Sequence, residues 1–320
     1  MNKKVKKIYN WITEHPGYLK CGAQVVYDAI PLNIAPAGSL GDVIEALDNA
    51  RLNNPGYSKK LIKTKANTVV DKKSFKRLFW DIETSYNTVA TWNVGYKLNI
   101  SHESILKERA IICICYKWAG DNAIHSLQWK NGDDKQLIKD FVKVISEAEE
   151  SIGHNSDRFD EKWLRTRALF HGISMPHSLQ TIDTLKLAKS GFRFNSNRLD
   201  YLGKFMGFGG KMDTGGFKLW LDICERNDQS SLDKMIKYCK VDVTRLEQVY
   251  DKLNPYTKSR THVGVTLGNG KCSCVNCGSD NTYSKGKVIS SMGNIQYKLQ
   301  CQDCGKYFKV SKTEFDKRGK

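Results

Sequence analysis

Hydrophobic and polar positions change rhythm several times along the chain. In VKKIYNWITEH, Val5, Ile8 and Ile12 fall at helical spacing, Trp11 widens the stripe, and His15-Pro16-Gly17 stops it. GAQVVYDAI predicts a second short helix. SLGDVIEALDNARL predicts a third, with Ser39 as N-cap, Asp42 three residues on, and Leu40, Val43, Ile44 and Leu47 turned inward. Three short helices suit a helix-turn-helix-like module at 1–57, with a small bundle for protein contacts as the alternative. Residues 58–76 are lysine-rich with little periodicity and predict a basic linker. From residue 77 strands take over: RLFWDIE, RAIICICYKW and AIHSLQW, the last two separated by the turn AGDN. An amphipathic helix follows in QLIKDFVKVISEAEE, then a short strand in SIGHN and a helix in FDEKWLRTRALFHG that ends at Gly172. TIDTLKLAK predicts a strand entering a helix, LDYLGKFMGFGG a helix halted by glycines, and SLDKMIKYCKVDVTRLEQVYDKL a long closing helix. Strands first, then helices alternating with strands, predict an α/β domain on a mixed sheet over 77–255.

One strand breaks the apolar pattern. FWDIETS sets Asp81 and Glu83 one residue apart, so both point to one face while Trp80 and Ile82 point to the other. Like charges held together in a buried segment repel unless a cation sits between them; a strand end reaching water is the plainer alternative. HNSDRFD adds Asn155 and Asp160 at a helix start directly after a strand, and YCKVD sets Tyr238 and Asp242 four residues apart on one helix face. Four carboxylates and a phenol suit a pair of hard divalent ions engaged in phosphodiester hydrolysis. GFGGK lacks the spacing of a phosphate-binding loop and is read as a helix stop.

Charge points to a polyanionic partner, with lysine-rich ends that merely keep the protein soluble as the plainer alternative. The net charge is +17 and lies in the flanks: residues 1–77 carry 14 Lys/Arg against 6 Asp/Glu, residues 256–320 carry 12 against 4, and the middle carries 25 against 24. A polyanion such as nucleic acid fits those flanks. With no apolar run long enough for a bilayer and no leader pattern behind the basic start, a membrane role is not expected, and a reducing, cytoplasmic setting is. In that setting the ten cysteines are thiols or metal ligands before they are disulfides.

FWDIETS, GHNSDRFD and YCKVDV, in that order, resemble the three motifs of the DnaQ-like 3′–5′ exonucleases, in the tyrosine-bearing DEDDy branch. DTLKLA and NSNRLDYLGKFMG are similar to family members found in phages and to YprB-like ribonuclease H-fold proteins. The resemblance covers about 77–255 and implies a ribonuclease H-like fold and two Mg²⁺ or Mn²⁺ ions. It implies that Asp81 bridges both ions, that Glu83 and Asp242 complete the one that activates water, that Asp160 holds the second, and that Tyr238 orients the water. DNA is expected ahead of RNA as substrate, with replication or repair proteins as further partners and, for a phage-encoded member, the host cytoplasm as its place. Asp157 and Glu161 are read as solvated neighbours, His154 as a strand-end hydrogen-bonder and Asp183 as a group close to the site. Asn155 and Asn195 are candidate substrate contacts; for Asn195 and Asn197 helix capping is the competing role. A non-catalytic nucleic-acid-binding regulator on an exonuclease-like domain is the alternative function.

Near the end, CVNC and CQDC set Cys274, Cys277, Cys301 and Cys304 in two C-x-x-C pairs around a strand-like segment with little apolar bulk. Four thiolates select one tetrahedral, structural Zn²⁺, and the pattern resembles a zinc ribbon within 256–320. Cys272 stands just outside it. Lys285, Lys287, Lys298, Lys306 and Lys309, interleaved with Tyr283, Tyr297, Tyr307 and Phe308, suit either phosphates and bases or a solvated face. Cys21, Cys113, Cys115, Cys224 and Cys239 are read as small buried hydrophobes.

Overall fold

The computed structural model describes residues 3–20, 23–31, 33–34, 40–52, 75–95, 97–176, 179–210 and 215–318. The chain divides into two compact units, Met1–Lys72 and Lys73–Lys320. In the first, the helices Lys3–Glu14, Ala23–Ala29 and Leu40–Leu52 close around Val5, Ile8, Ile12, Val26, Val43 and Leu47. Ile44, expected inside, is instead 46% exposed. The buried face of its helix runs through Val43, Ala46, Leu47 and Ala50, and Ile44 falls beyond that stripe. Ser39, Cys21 and residues 58–74 of the linker lie outside the described residues.

The second unit contains the α/β domain. Its strands are β1 (Arg77–Thr84), β2 (Thr88–Val89), β3 (Ile105–Lys107), β4 (Ile111–Trp118), β5 (His125–Gln128), β6 (Glu150–Gly153) and β7 (Gln180–Asp183). Five of them form one sheet in the order β5-β4-β1-β6-β7, while β2 and β3 pair as a separate ribbon. β1 runs antiparallel to β4 and parallel to β6, and β7 is parallel to β6. This is the mixed α/β sheet expected from the strand-then-helix rhythm, and it is consistent with the ribonuclease H-like fold that the motif resemblance implied.

Alternation along β1 sorts its residues between two cores. Leu78, Trp80 and Ile82 pack with Leu137, Ile138 and Phe141 of the helix Lys135–Ser146 and Leu164 of the helix Asp160–Phe170. Trp80 also donates from Nε1 to Ser151 Oγ at 2.7 Å, so its one polar atom is satisfied in the core. Phe79 faces the other way, toward Met235, Cys239, Val243, Leu246 and Tyr250 of the long helix Gln229–Leu253. By the same alternation Asp81 and Glu83 lie on the side covered by that helix.

A four-cysteine ribbon follows, with strands β8 (Thr282–Ile289), β9 (Ile295–Cys301) and β10 (Tyr307–Ser311) in the order β10-β9-β8. Lys306, expected on its basic surface, is 1% exposed. Its ammonium donates to the carbonyls of Asn254 and Thr257 at the end of the long helix, fastening the ribbon to the α/β domain. Asn276 completes the joint by accepting from Arg77 Nη2 at its carbonyl, at 2.9 Å, and from Asn254 Nδ2 at its side-chain oxygen, at 2.7 Å.

Candidate active site

The parallel pairing of β1 with β6 covers only Arg77–Phe79 against Glu150–Ile152. Beyond it the β1 backbone loses its neighbour on that side, and Asp160, the first residue of its helix, supplies one. Its Oδ1 accepts from the Ile82 amide at 3.2 Å. The turn between β6 and this helix is tight: a Cβ on Gly153 would lie 2.4 Å from Ser156 Cβ, and Asn155 is held at φ +63°. Asp183, 1% exposed at the end of β7, fixes that turn by accepting from Asn155 N at 2.8 Å and Leu185 N at 2.9 Å through one oxygen. Its other oxygen, Oδ2, is buried without a hydrogen-bond partner.

The electrostatics bring the acids together. Burial pushes the Asp81 carboxyl well above its ordinary range, and the charges of Asp160, Glu83 and Asp242 push it further. Burial likewise lifts Asp160 to about 7 against the pull of backbone hydrogen bonds, with Asp183 and Glu161 adding repulsion. Tyr238 is 5% exposed; burial, then Asp242 and Glu83, hold its phenol far above its usual pKa, and it is hydrogen-bonded to Asp242. Arg245, one turn beyond Asp242, brings Nη1 to 4.0 Å from its carboxylate. Behind the acids lies a layer of thiols. Cys115 and Cys113 stand opposite Asp81 and Glu83 in the β4 register, and Cys239 Sγ lies 3.7 Å from Asp81 Oδ2. These three are fully buried, whereas Cys224 is only half-buried.

Such a donor set fits hard divalent cations: Asp160 is buried and Asp81, Glu83 and Asp242 are half-buried, and a cation would relieve the mutual repulsion of their oxygens. Among the described residues, candidate ligand atoms gather within 4.8 Å of one another in two other groups. The strand acids share a field at wider spacing. One group is Asp133, Asp134 and His171, but the Asp134 carboxylate is already filled. It accepts from Ile111 N at 2.9 Å and from Arg167 Nε and Nη2 at 2.7 Å each, and His171 Nε2 lies 2.7 Å away. That cluster is a structural clamp.

The neighbours divide differently from expectation. Glu161 is not solvated: it is 4% exposed, with Oε1 3.5 Å from the Ser151 hydroxyl and Arg165 alongside. Ser151 of β6 lies against Glu161, while Asp160 meets the β1 backbone at Ile82. Asp157 is half-buried and paired with Lys186. His154 does bond at the strand end, with Nδ1 2.8 Å from Thr184 Oγ1. Asn195 is exposed, and neither it nor Asn197 caps the helix Leu199–Phe205, whose N-cap is Arg198.

A cleft of about 500 Å³ opens beside Glu83 between Tyr86, Arg109, Phe159, Phe217 and Trp220. Phe217 is 61% exposed and lies 5.2 Å from the Tyr86 ring, and Trp220 Nε1 donates to Thr84 O at 3.0 Å. The sequence reading passed over this wall. The apolar spacing of Leu219, Trp220 and Ile223 was the available signal for the helix Lys218–Arg226.

The four ribbon thiols form the second group, with Cys274 and Cys304 3.5 Å apart and Cys277 and Cys301 3.6 Å apart. Gly278 and Gly305, each following the second cysteine of its pair, take φ +77° and +73° and donate back to Cys274 O and Cys301 O. Asn276 N donates to Cys274 Sγ at 3.3 Å. Amides turned toward sulfur favour thiolates, so the set fits one tetrahedral zinc with no open position. The repeated C-x-x-C-G was a further signal in the sequence.

Residues 98–254 match the family model of the RNase_H superfamily, a span that includes Asp160, Tyr238 and Asp242 and begins after β1. No curated protein matches the chain. Among solved structures, the family B DNA polymerase from the hyperthermophilic archaeon Pyrobaculum calidifontis is similar over 66% of this chain and 34% of that one, at 16% identity and TM-score 0.44. The chain thus spans about a third of that polymerase's length. No helix among the described residues is long and apolar enough to cross a membrane.

Proposed function

We propose that this chain is a metal-dependent 3′–5′ exonuclease that releases nucleoside monophosphates, from DNA ahead of RNA. The observation that supports the reading is that Asp160, Glu83 and Asp242 all act on the Asp81 carboxyl, with Tyr238 hydrogen-bonded to Asp242. The polarity rests on the three motifs. On this reading residues 77–255 are the catalytic domain, preceded by the module 1–57 on the linker 58–76 and followed directly by the ribbon 256–320.

Asp81, Glu83, Asp160 and Asp242 would hold two Mg²⁺ or Mn²⁺. Bound there, the ions would activate water and neutralise the leaving oxygen. Tyr238 stays protonated, so its phenol orients a water or phosphate oxygen and does not abstract a proton. Asp183 and the Ile82 amide hold the turn and carboxylate of the Asp160 helix in place. The aromatic cleft beside Glu83 suits a terminal base, with Arg109 available to a phosphate.

The test is a degradation assay on 3′- and 5′-labelled single- and double-stranded DNA and RNA, with Mg²⁺, with Mn²⁺ and without either. Mononucleotides from the 3′ label and a shrinking ladder from the 5′ label are expected. Asp81→Asn should lose activity by about 10³-fold or more. Absence of metal-dependent cleavage on every substrate would overturn the reading. Strand binding without cleavage would leave the non-catalytic alternative in its place.

A further inference from the structure

We infer that the outer face of the ribbon sheet is a binding platform for a single strand of nucleic acid, separate from the cleft beside the acids. The strands show period-two burial. In β10, Tyr307, Lys309 and Ser311 are exposed while Phe308 and Val310 are buried. In β9, Gln296 and Lys298 are exposed around Tyr297 and Leu299, which face the core. Register then assembles the outer face. Gln300 pairs with both Tyr283 and Tyr307, and Lys298 pairs with Lys309. Lys285 joins them from β8 before a bulge at Gly286, φ +108°, throws Lys287 to the side of Tyr297.

The result is two exposed tyrosines flanking a central glutamine, with three lysines around them. Tyr283 is 59% and Tyr307 46% exposed. Lys285 Nζ lies 5.0 Å from the Tyr283 ring, and Lys298 Nζ lies 4.7 Å from the Tyr307 ring. β8, β9 and β10 contain no Asp or Glu. Three of the ribbon's acids are occupied elsewhere, Asp303 by Ser279 and Asn281, Glu314 by Lys271 and Lys317, and Asp316 by Lys312, and Asp280, three positions before Tyr283, is the other. An uncompensated positive face carrying bare rings complements a chain of phosphates and unpaired bases. A folded protein would need apolar bulk that this face lacks.

The joint with the α/β domain sets the reach. Asn254, which receives Lys306, stands twelve positions after Asp242 along the long helix, about 18 Å at 1.5 Å per residue. At about 3.4 Å per stacked nucleotide, a strand bridging that length needs about five nucleotides. A strand of about twenty nucleotides is therefore long enough to reach both the platform and the acids.

The test uses the full chain in buffer without added divalent ions, with fluorescence anisotropy of labelled dT20 and rU20. Tyr283→Ala/Tyr307→Ala should weaken binding of dT20 or rU20 by roughly tenfold or more. Comparing dT20 with rU20 shows which backbone the face prefers. Lys285→Ala/Lys298→Ala/Lys309→Ala should reduce the slope of log K against log salt by about 2. All five side chains are exposed, so thermal unfolding should be unchanged and serves as the control for folding. Wild-type affinity for both 20-mers in the tyrosine variant would overturn the inference, as would an unaltered salt slope in the lysine variant; either would assign the face to another class of partner. Binding is read without divalent ions and cleavage with them, so failure of the nuclease reading and failure of this one are separable.

Discussion

Replacing Asp160 with asparagine removes a charge and almost no volume, and it opposes stability to function. The carboxyl is 3% exposed and lifted from its ordinary 3.8 to about 7, burial being the first cause. A carboxyl with a raised folded-state pKa binds its proton more tightly in the native protein than in the unfolded chain. Its contribution to stability is therefore intact below pH 4 and is lost as pH rises toward 7. At about 1.4 kcal/mol per unit, the penalty at pH 8 without divalent ions is about 4 kcal/mol at most. Asparagine keeps an oxygen for the Ile82 amide and escapes the penalty. In urea unfolding without added divalent ions, the variant should match wild type near pH 4 and exceed it progressively up to pH 8. Wild type should gain stability from added Mn²⁺, and the variant should gain far less. A variant less stable than wild type at pH 8, or a difference that does not grow between pH 4 and 7, would refute the reasoning.

Tyr238→Phe should lower turnover by about 10- to 100-fold while leaving the pH–rate profile unchanged between pH 6 and 10, since the phenol does not titrate there; loss of an ionisation from the profile would contradict this. Metal analysis should find one zinc per chain, and Cys301→Ser should lose it and unfold the ribbon at lower temperature, as limited proteolysis would show. Arg167→Met leaves the Asp134 carboxylate, 0% exposed, without its main partner, and chemical denaturation should show a loss of roughly 3–5 kcal/mol.

What was legible in the sequence followed periods that the backbone imposes. Period two put Asp81 and Glu83 on one side of β1, opposite Trp80 and Ile82. Four-residue spacing put Tyr238 and Asp242 on one face of a helix. The two C-x-x-C pairs marked the ribbon. Hidden features depended on elements far apart in the chain. Glu161 is buried beside Ser151, ten positions earlier on β6, which no local pattern states. Lys306 looked like one of several surface lysines until the end of the long helix presented two carbonyls to it. The aromatic cleft draws Tyr86 and Phe217 from segments 131 positions apart. Gly286 separated Lys285 from Lys287 through a bulge that alternation alone does not reveal.

The most direct measurement is anomalous diffraction from a crystal soaked in Mn²⁺. Manganese bound among the carboxylates of Asp81, Glu83, Asp160 and Asp242, and lost in Asp81→Asn, is the expected result. A soaked crystal with manganese elsewhere and none among these four acids would contradict the proposal that they serve a metal-dependent nuclease.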